Sequence, residues 1–126
     1  MSGYAGDFRS LEVYKLAKNL AKKIFEITKS FPKEETYSLT SQIRASSRSV
    51  GAQIAEAWAK RRYEAHFISK LTDSDGEQRE TQHWIETSFD CGYISDKTRN
   101  DLIVEYNCVG RMLQTMIDKS DLFCGK

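Results

Sequence analysis

The sequence predicts an all-α fold, an antiparallel up-and-down four-helix bundle formed by residues 1–126 as a single domain. Three observations carry that expectation. Pro32 is the only proline and glycines are sparse between Gly6 and Gly110, so little interrupts helix formation. Apolar residues recur at helical spacing in four long stretches. The breaks between those stretches are short, and short connections favour neighbours that run in opposite directions.

The first helix is expected over about residues 8–30. At roughly 100° per residue, Val13, Leu16, Leu20, Ile24, Ile27 and Phe31 gather on one side, with Lys15, Lys18, Lys22 and Lys29 almost opposite. Phe31-Pro32 ends it, because proline disfavours helix at the residue before it, and residues 33–37 should turn. The second helix is expected over 38–62, with Leu39, Ile43, Val50, Ile54 and Ala57 as its core stripe. Its other side holds Gly51, Ala52, Ala55 and Ala59 beside Arg44 and Arg48. Small residues opposite a core stripe let a second helix approach closely, which suggests a subunit interface. Alanine is also simply a good helix former, so a plain solvent face is the competing explanation.

The third helix, over 63–91, contains the nearly apolar-free stretch "TDSDGEQRETQ" at 72–82. Phe67, Leu71, Ser74, Gln78, Thr81, Ile85 and Phe89 still align, which predicts a thin seam with small or uncharged polar residues in its middle. Gly92-Tyr93-Ile94 should turn, and Ser95 is a good N-cap with Asp96 in the first turn. The fourth helix then runs to about residue 119, with Leu102, Tyr106, Val109, Leu113, Met116 and Ile117 on its apolar side.

A chain of 126 residues can bury one core but not two. Its 40% hydrophobic and 29% charged residues argue against disorder and against a membrane partner. Residues 1–6 lack the layout of a secretory signal, so the expected location is the cytoplasm. Cys91, Cys108 and Cys124 have no paired spacing, which suits reduced, mostly packed thiols. Residues 1–62 carry 12 Lys/Arg against 6 Asp/Glu, whereas residues 63–126 carry 7 against 12. A basic front and an acidic back can attract each other or serve two partners.

"ETQH" at 80–83 has the Glu-x-x-His spacing of dimetal bundles. Those sites need a second such pair, and His66, the other histidine, has Tyr63 three positions before it. Glu80 and His83 also fall roughly 140° and 160° from the core stripe, pointing away from it. "DSDGE" at 73–77 is out of register with a calcium loop, and no phosphate-binding glycine loop is present. No enzyme activity, metal or cofactor is expected. Around Glu80, the residues Asp73, Glu77, Glu80 and Trp84 form an acidic flank with one aromatic. It is either a solvated face or a surface that docks on Arg44 and Arg48, of its own chain or a neighbour's.

"FPKEETYSLTSQIR" (31–44), "IAE" (54–56), "FISKL" (67–71), "ETQHW" (80–84) and "CGYIS" (91–95) occur in this order. Together they resemble the small four-helix-bundle proteins encoded in intervening sequences of bacterial 23S ribosomal RNA genes, often loosely labelled ribosomal proteins. Accessory proteins of diversity-generating retroelements are similar at a greater distance. The likeness runs over most of residues 8–119. It implies a bundle without established catalysis that assembles as a ring-like homopentamer, and the retroelement relatives bind nucleic acid and a reverse transcriptase. Two departures stand out: "SVGAQIAEA" places Gln53 and Ala57 where the family pattern has asparagine and glycine, and Thr72-Asp73-Ser74-Asp75-Gly76 replaces an apolar-rich turn. Two functions follow as expectations. One is a homo-oligomeric scaffold that recruits a protein partner. The other is an RNA- or DNA-binding protein using Lys15, Lys18, Lys22, Lys29, Arg44, Arg48, Lys60, Arg61 and Arg62.

Overall fold

The structure, a computed structural model, describes residues 6–125. Among them there are five helices and no strand: α1 (Glu12–Thr28), α2 (Leu39–Ala59), α3 (Glu64–Asp90), α4 (Asp96–Asp118) and the short α5 (Ser120–Phe123). Helix α1 packs on α2 and α4, and α3 packs on the same two, so four long helices surround one core. Contacts advance along α2 as they retreat along α3: Ser46 meets Thr81, Val50 meets Ser74 and Gln53 meets Lys70. The same holds for α3 and α4, where Gln82 meets Asn107 and Glu86 meets Arg99. None of the helices among the described residues is long and apolar enough to cross a membrane.

The core contains Leu20, Ile24, Ile43, Val50, Ile54, Phe67, Leu71, Ile85, Tyr106, Val109 and Leu113, all essentially inaccessible. Burying each such large side chain contributes about 1.5–3 kcal/mol. The predicted polar seam of α3 is present, with Ser74, Gln78 and Thr81 buried, but the stripe ends in buried Ser88, and the expected Phe89 is half-buried. Each hydroxyl there is satisfied: Ser74 donates to the Val50 carbonyl at 2.8 Å, and Thr81 to Ser46 Oγ at 2.8 Å.

Several sequence expectations require correction. The first helix does not begin at Phe8: Phe8–Ser10 form a 3-10 turn capped by Asp7, and α1 starts at Glu12. Its buried line is Val13, Ala17, Leu20, Ile24 and Thr28, with Leu16 and Ile27 on its flank. Helix α2 ends at Ala59, so Lys60–Arg62 lie in a turn and Tyr63 is the N-cap of α3. Helix α5 folds back, and Phe123 packs on Trp58 and Phe67 with ring centroids 6.1 Å away in each case. The cysteines are free, but they are not uniformly packed: Cys124 is buried, Cys108 is half-buried and Cys91 is exposed.

Candidate functional site

Three surfaces stand out. The first is a groove of about 840 Å³ between α1 and α2. Its floor is made by Phe8, Tyr14, Ala17, Ala21, Phe25, Gly51, Ala52 and Ala55, and its charged rim by Lys15, Lys18, Lys22 and Arg48. No carboxylate lines it among the described residues. The small residues of α2 create the room, and α1 supplies the aromatic walls. Gly51 is itself buried beneath Tyr14, where an added methyl group would make ordinary contact at 3.5 Å with Tyr14 Cε1, so this position faces α1 of its own chain. Arg44 is likewise held by α1, donating to Thr28 Oγ1 at 2.8 Å and lying 4.7 Å from the Phe25 ring centroid. Arg48 is exposed over the same ring at 5.6 Å. Sequence reasoning found the alanines and arginines but not Tyr14 or Phe25, whose aromatic spacing gave no sign of facing α2. Ala59 lies outside the groove, exposed at the end of α2.

The second surface is the flank of α3. Glu80 accepts a hydrogen bond from Trp84 Nε1 at 3.0 Å, and the His83 ring meets Trp84 edge-on at 4.7 Å. Asp73 is exposed and Glu77 half-buried, and neither forms an ion pair among the described residues. The flank does not reach Arg44 or Arg48 of its own chain. Those arginines lie on the α1 side of α2, whereas Ser46, Val50, Gln53 and Glu56 face α3. The alternative of pairing within one chain is thereby excluded by geometry. Among the described residues, no three His, Cys, Asp or Glu side chains converge as metal ligands.

The third surface is the basic line and the basic turn. Lys15, Lys18, Lys22 and Lys29 are all exposed on α1. Lys15 pairs with Glu12 at 3.3 Å and Lys29 with Glu26 at 3.2 Å, while Lys18 and Lys22 form no ion pair among the described residues. In the α2–α3 turn, Arg61 lies flat on Trp58 at 3.8 Å and donates to the Trp58 carbonyl. Arg61 is therefore part of the local packing, in contrast to exposed Lys60 and Arg62.

The sequence pattern described as 23S rRNA-intervening sequence protein matches residues 9–115. The chain belongs to that family. A crystal structure of a protein of unknown function from the S23 ribosomal protein family of Bacteroides thetaiotaomicron VPI-5482 superposes with a TM-score of 0.76 at 26% identity. The alignment covers 84% of this chain and 95% of that one. No curated protein matches the chain. Neither description names a reaction, so membership of the 23S rRNA-intervening sequence proteins indicates no enzymatic class. This member of the 23S rRNA-intervening sequence family carries a cationic groove on one side of α2 and an acidic flank on α3 beyond its other side.

Proposed function

We propose that this protein is a non-enzymatic interaction module of the cytoplasm, a single-domain antiparallel up-and-down bundle that assembles head to tail into a ring-like homo-oligomer. Five subunits is the number that the family resemblance implies. The observation that carries the reading is the carboxylate-free groove of α1 and α2, rimmed by Lys15, Lys18, Lys22 and Arg48. The matching acidic surface is Asp73, Glu77, Glu80 and Trp84 of a second copy. Because donor and acceptor surfaces differ, the contact is heterologous, and such contacts close into rings when the rotation per subunit allows. Ala52 and Ala55 give the entering helix room, while the charges set register and orientation.

Light scattering on a sizing column tests this. The wild type should elute as an assembly, and Ala55→Glu should run as a monomer with an unchanged helical signal. A carboxylate buried against a partner's carboxylates costs about 3 kcal/mol or more, ample to dissociate subunits at micromolar concentration. A wild type that is monomeric at that concentration overturns the proposal.

A second reading, binding of RNA or DNA, is favoured by the cations that lack a carboxylate partner. The two readings compete for the same lysines. Lys15, Lys18 and Lys22 rim the groove, so in the assembly they meet the neighbouring subunit, whereas Lys60 and Arg62 in the α2–α3 turn, exposed and without an ion pair among the described residues, stay open to phosphates. Filter binding against salt checks this: affinity should fall steeply between about 50 and 200 mM.

A further inference from the structure

The α2–α3 turn places rings among its cations. Tyr63 is 57% exposed, and its ring lies 5.6 Å from that of His66, also exposed. The Arg62 guanidinium stands 6.0 Å from the Tyr63 centroid, and Lys60 is exposed beside it. The acidic residues closest in sequence are turned elsewhere. Glu56 pairs with Lys70 at 3.0 Å, and Glu64 accepts the Ser120 hydroxyl. Lys60 and Arg62 thus form no ion pair among the described residues. Although Tyr63 stands at the N-cap position, its side chain makes no capping hydrogen bond to α3. An exposed aromatic pair flanked by uncompensated cations has the chemistry that holds unpaired nucleotides, a base stacking on the ring while phosphates meet the cations.

We infer that the α2–α3 turn is a stacking site for single-stranded RNA, with Tyr63 and His66 as the base platform and Lys60 and Arg62 as the phosphate contacts. This rests on the nucleic-acid reading and sharpens it: the lysine line of α1 contributes charge only, whereas the turn distinguishes unpaired from paired strands. A duplex keeps its bases stacked inside and offers the rings nothing.

The test is fluorescence anisotropy of the full chain with a labelled oligouridine and with an RNA duplex, each of about 12 nucleotides per strand, a length that fills a typical single-strand site. Tyr63→Ala should weaken binding to the single strand about 5- to 100-fold and leave the duplex within about twofold. Tyr63→Trp should preserve single-strand binding, which separates lost stacking from lost folding. Lys60→Ala with Arg62→Ala should weaken both ligands and flatten the salt dependence. Failure of the wild type to bind either RNA at about 50 mM salt overturns the nucleic-acid reading as a whole. If the wild type binds and Tyr63→Ala binds the single strand as tightly, the nucleic-acid reading stands and the stacking site falls.

Discussion

Thr81 donates to Ser46 Oγ across the α2–α3 contact and sits within hydrogen-bond distance of the Glu77 carbonyl, with no exposure to solvent. Thr81→Val keeps the shape but leaves the Ser46 hydroxyl with only a long 3.4 Å contact to Ile43 O. Thermal or urea unfolding should record a loss of about 1–3 kcal/mol, while the double variant Ser46→Ala, Thr81→Val should recover most of it, because no buried polar group is then orphaned. Tyr106 presents the opposite case. Its hydroxyl is buried with no hydrogen-bond partner among the described residues, and burial raises its pKa well above the ordinary tyrosine value. Tyr106→Phe should be neutral or stabilising by about 1 kcal/mol; a loss of that size would mean that the hydroxyl has a polar partner. Helical spacing alone placed Thr81, Ser74 and Gln78 in the seam. It did not reveal that Thr81 bonds to Ser46, because a partner 35 positions away leaves no local signature.

Helix bodies were legible and helix ends less so, for reasons visible at each end. Ser95 caps α4 as its sequence position suggests, accepting from the Thr98 N–H at 3.1 Å, so Ser95→Ala should cost about 0.5–2 kcal/mol in urea unfolding. Gly92, with φ at +78°, takes the left-handed conformation that turns the chain out of α3. By contrast, α2 stops short of Arg62 because Arg61 folds back onto Trp58, and α5 forms because Phe123 finds Trp58 and Phe67, contacts that no periodicity encodes. The turn after α1 and the turn after α3 are fastened together by Tyr93, which donates to Glu35 at 2.8 Å. Glu35 is held below the usual carboxylate range by the Ser38 hydroxyl first, then by Tyr93, and Tyr93 is pushed up to about 12 by Glu35. A depressed carboxyl stabilises the fold above its unfolded pKa and loses that effect as pH falls; a raised phenol stabilises below its unfolded pKa and loses that effect as pH rises through about 12. The destabilisation by Tyr93→Phe should therefore be greatest at neutral pH and shrink both in acid and towards pH 12, read from urea midpoints across pH. A difference independent of pH would mean that the hydrogen bond contributes nothing to it.

At the scale of the whole molecule, the sequence disclosed the acidic flank and the small-residue side of α2, but not that they lie on opposite sides of that helix, which only packing decides. That placement makes the proposed assembly directional, and direction yields a test that depends on ring parity. Lys15→Glu with Lys18→Glu and Lys22→Glu leaves Arg48 as the one rim cation and gives a chain acidic on both its groove and its flank, whereas Glu77→Lys with Glu80→Lys leaves Asp73 as the one flank carboxylate and gives a chain basic on both. Each alone should be monomeric, since like charges then face one another across every junction. Mixed together, each groove finds an oppositely charged flank on the other variant, so assembly should return with the two chains strictly alternating. Strict alternation closes only rings with an even number of subunits. A five-membered ring would retain one like-charged junction, so the mixture should form open chains or even-membered rings, and light scattering should find no closed pentamer. Rising salt should erode the rescue, because exposed parts of the junction are screened within about 10 Å at 0.1 M. Recovery of a five-subunit ring from the mixture would show that the groove and the flank are not the surfaces that meet.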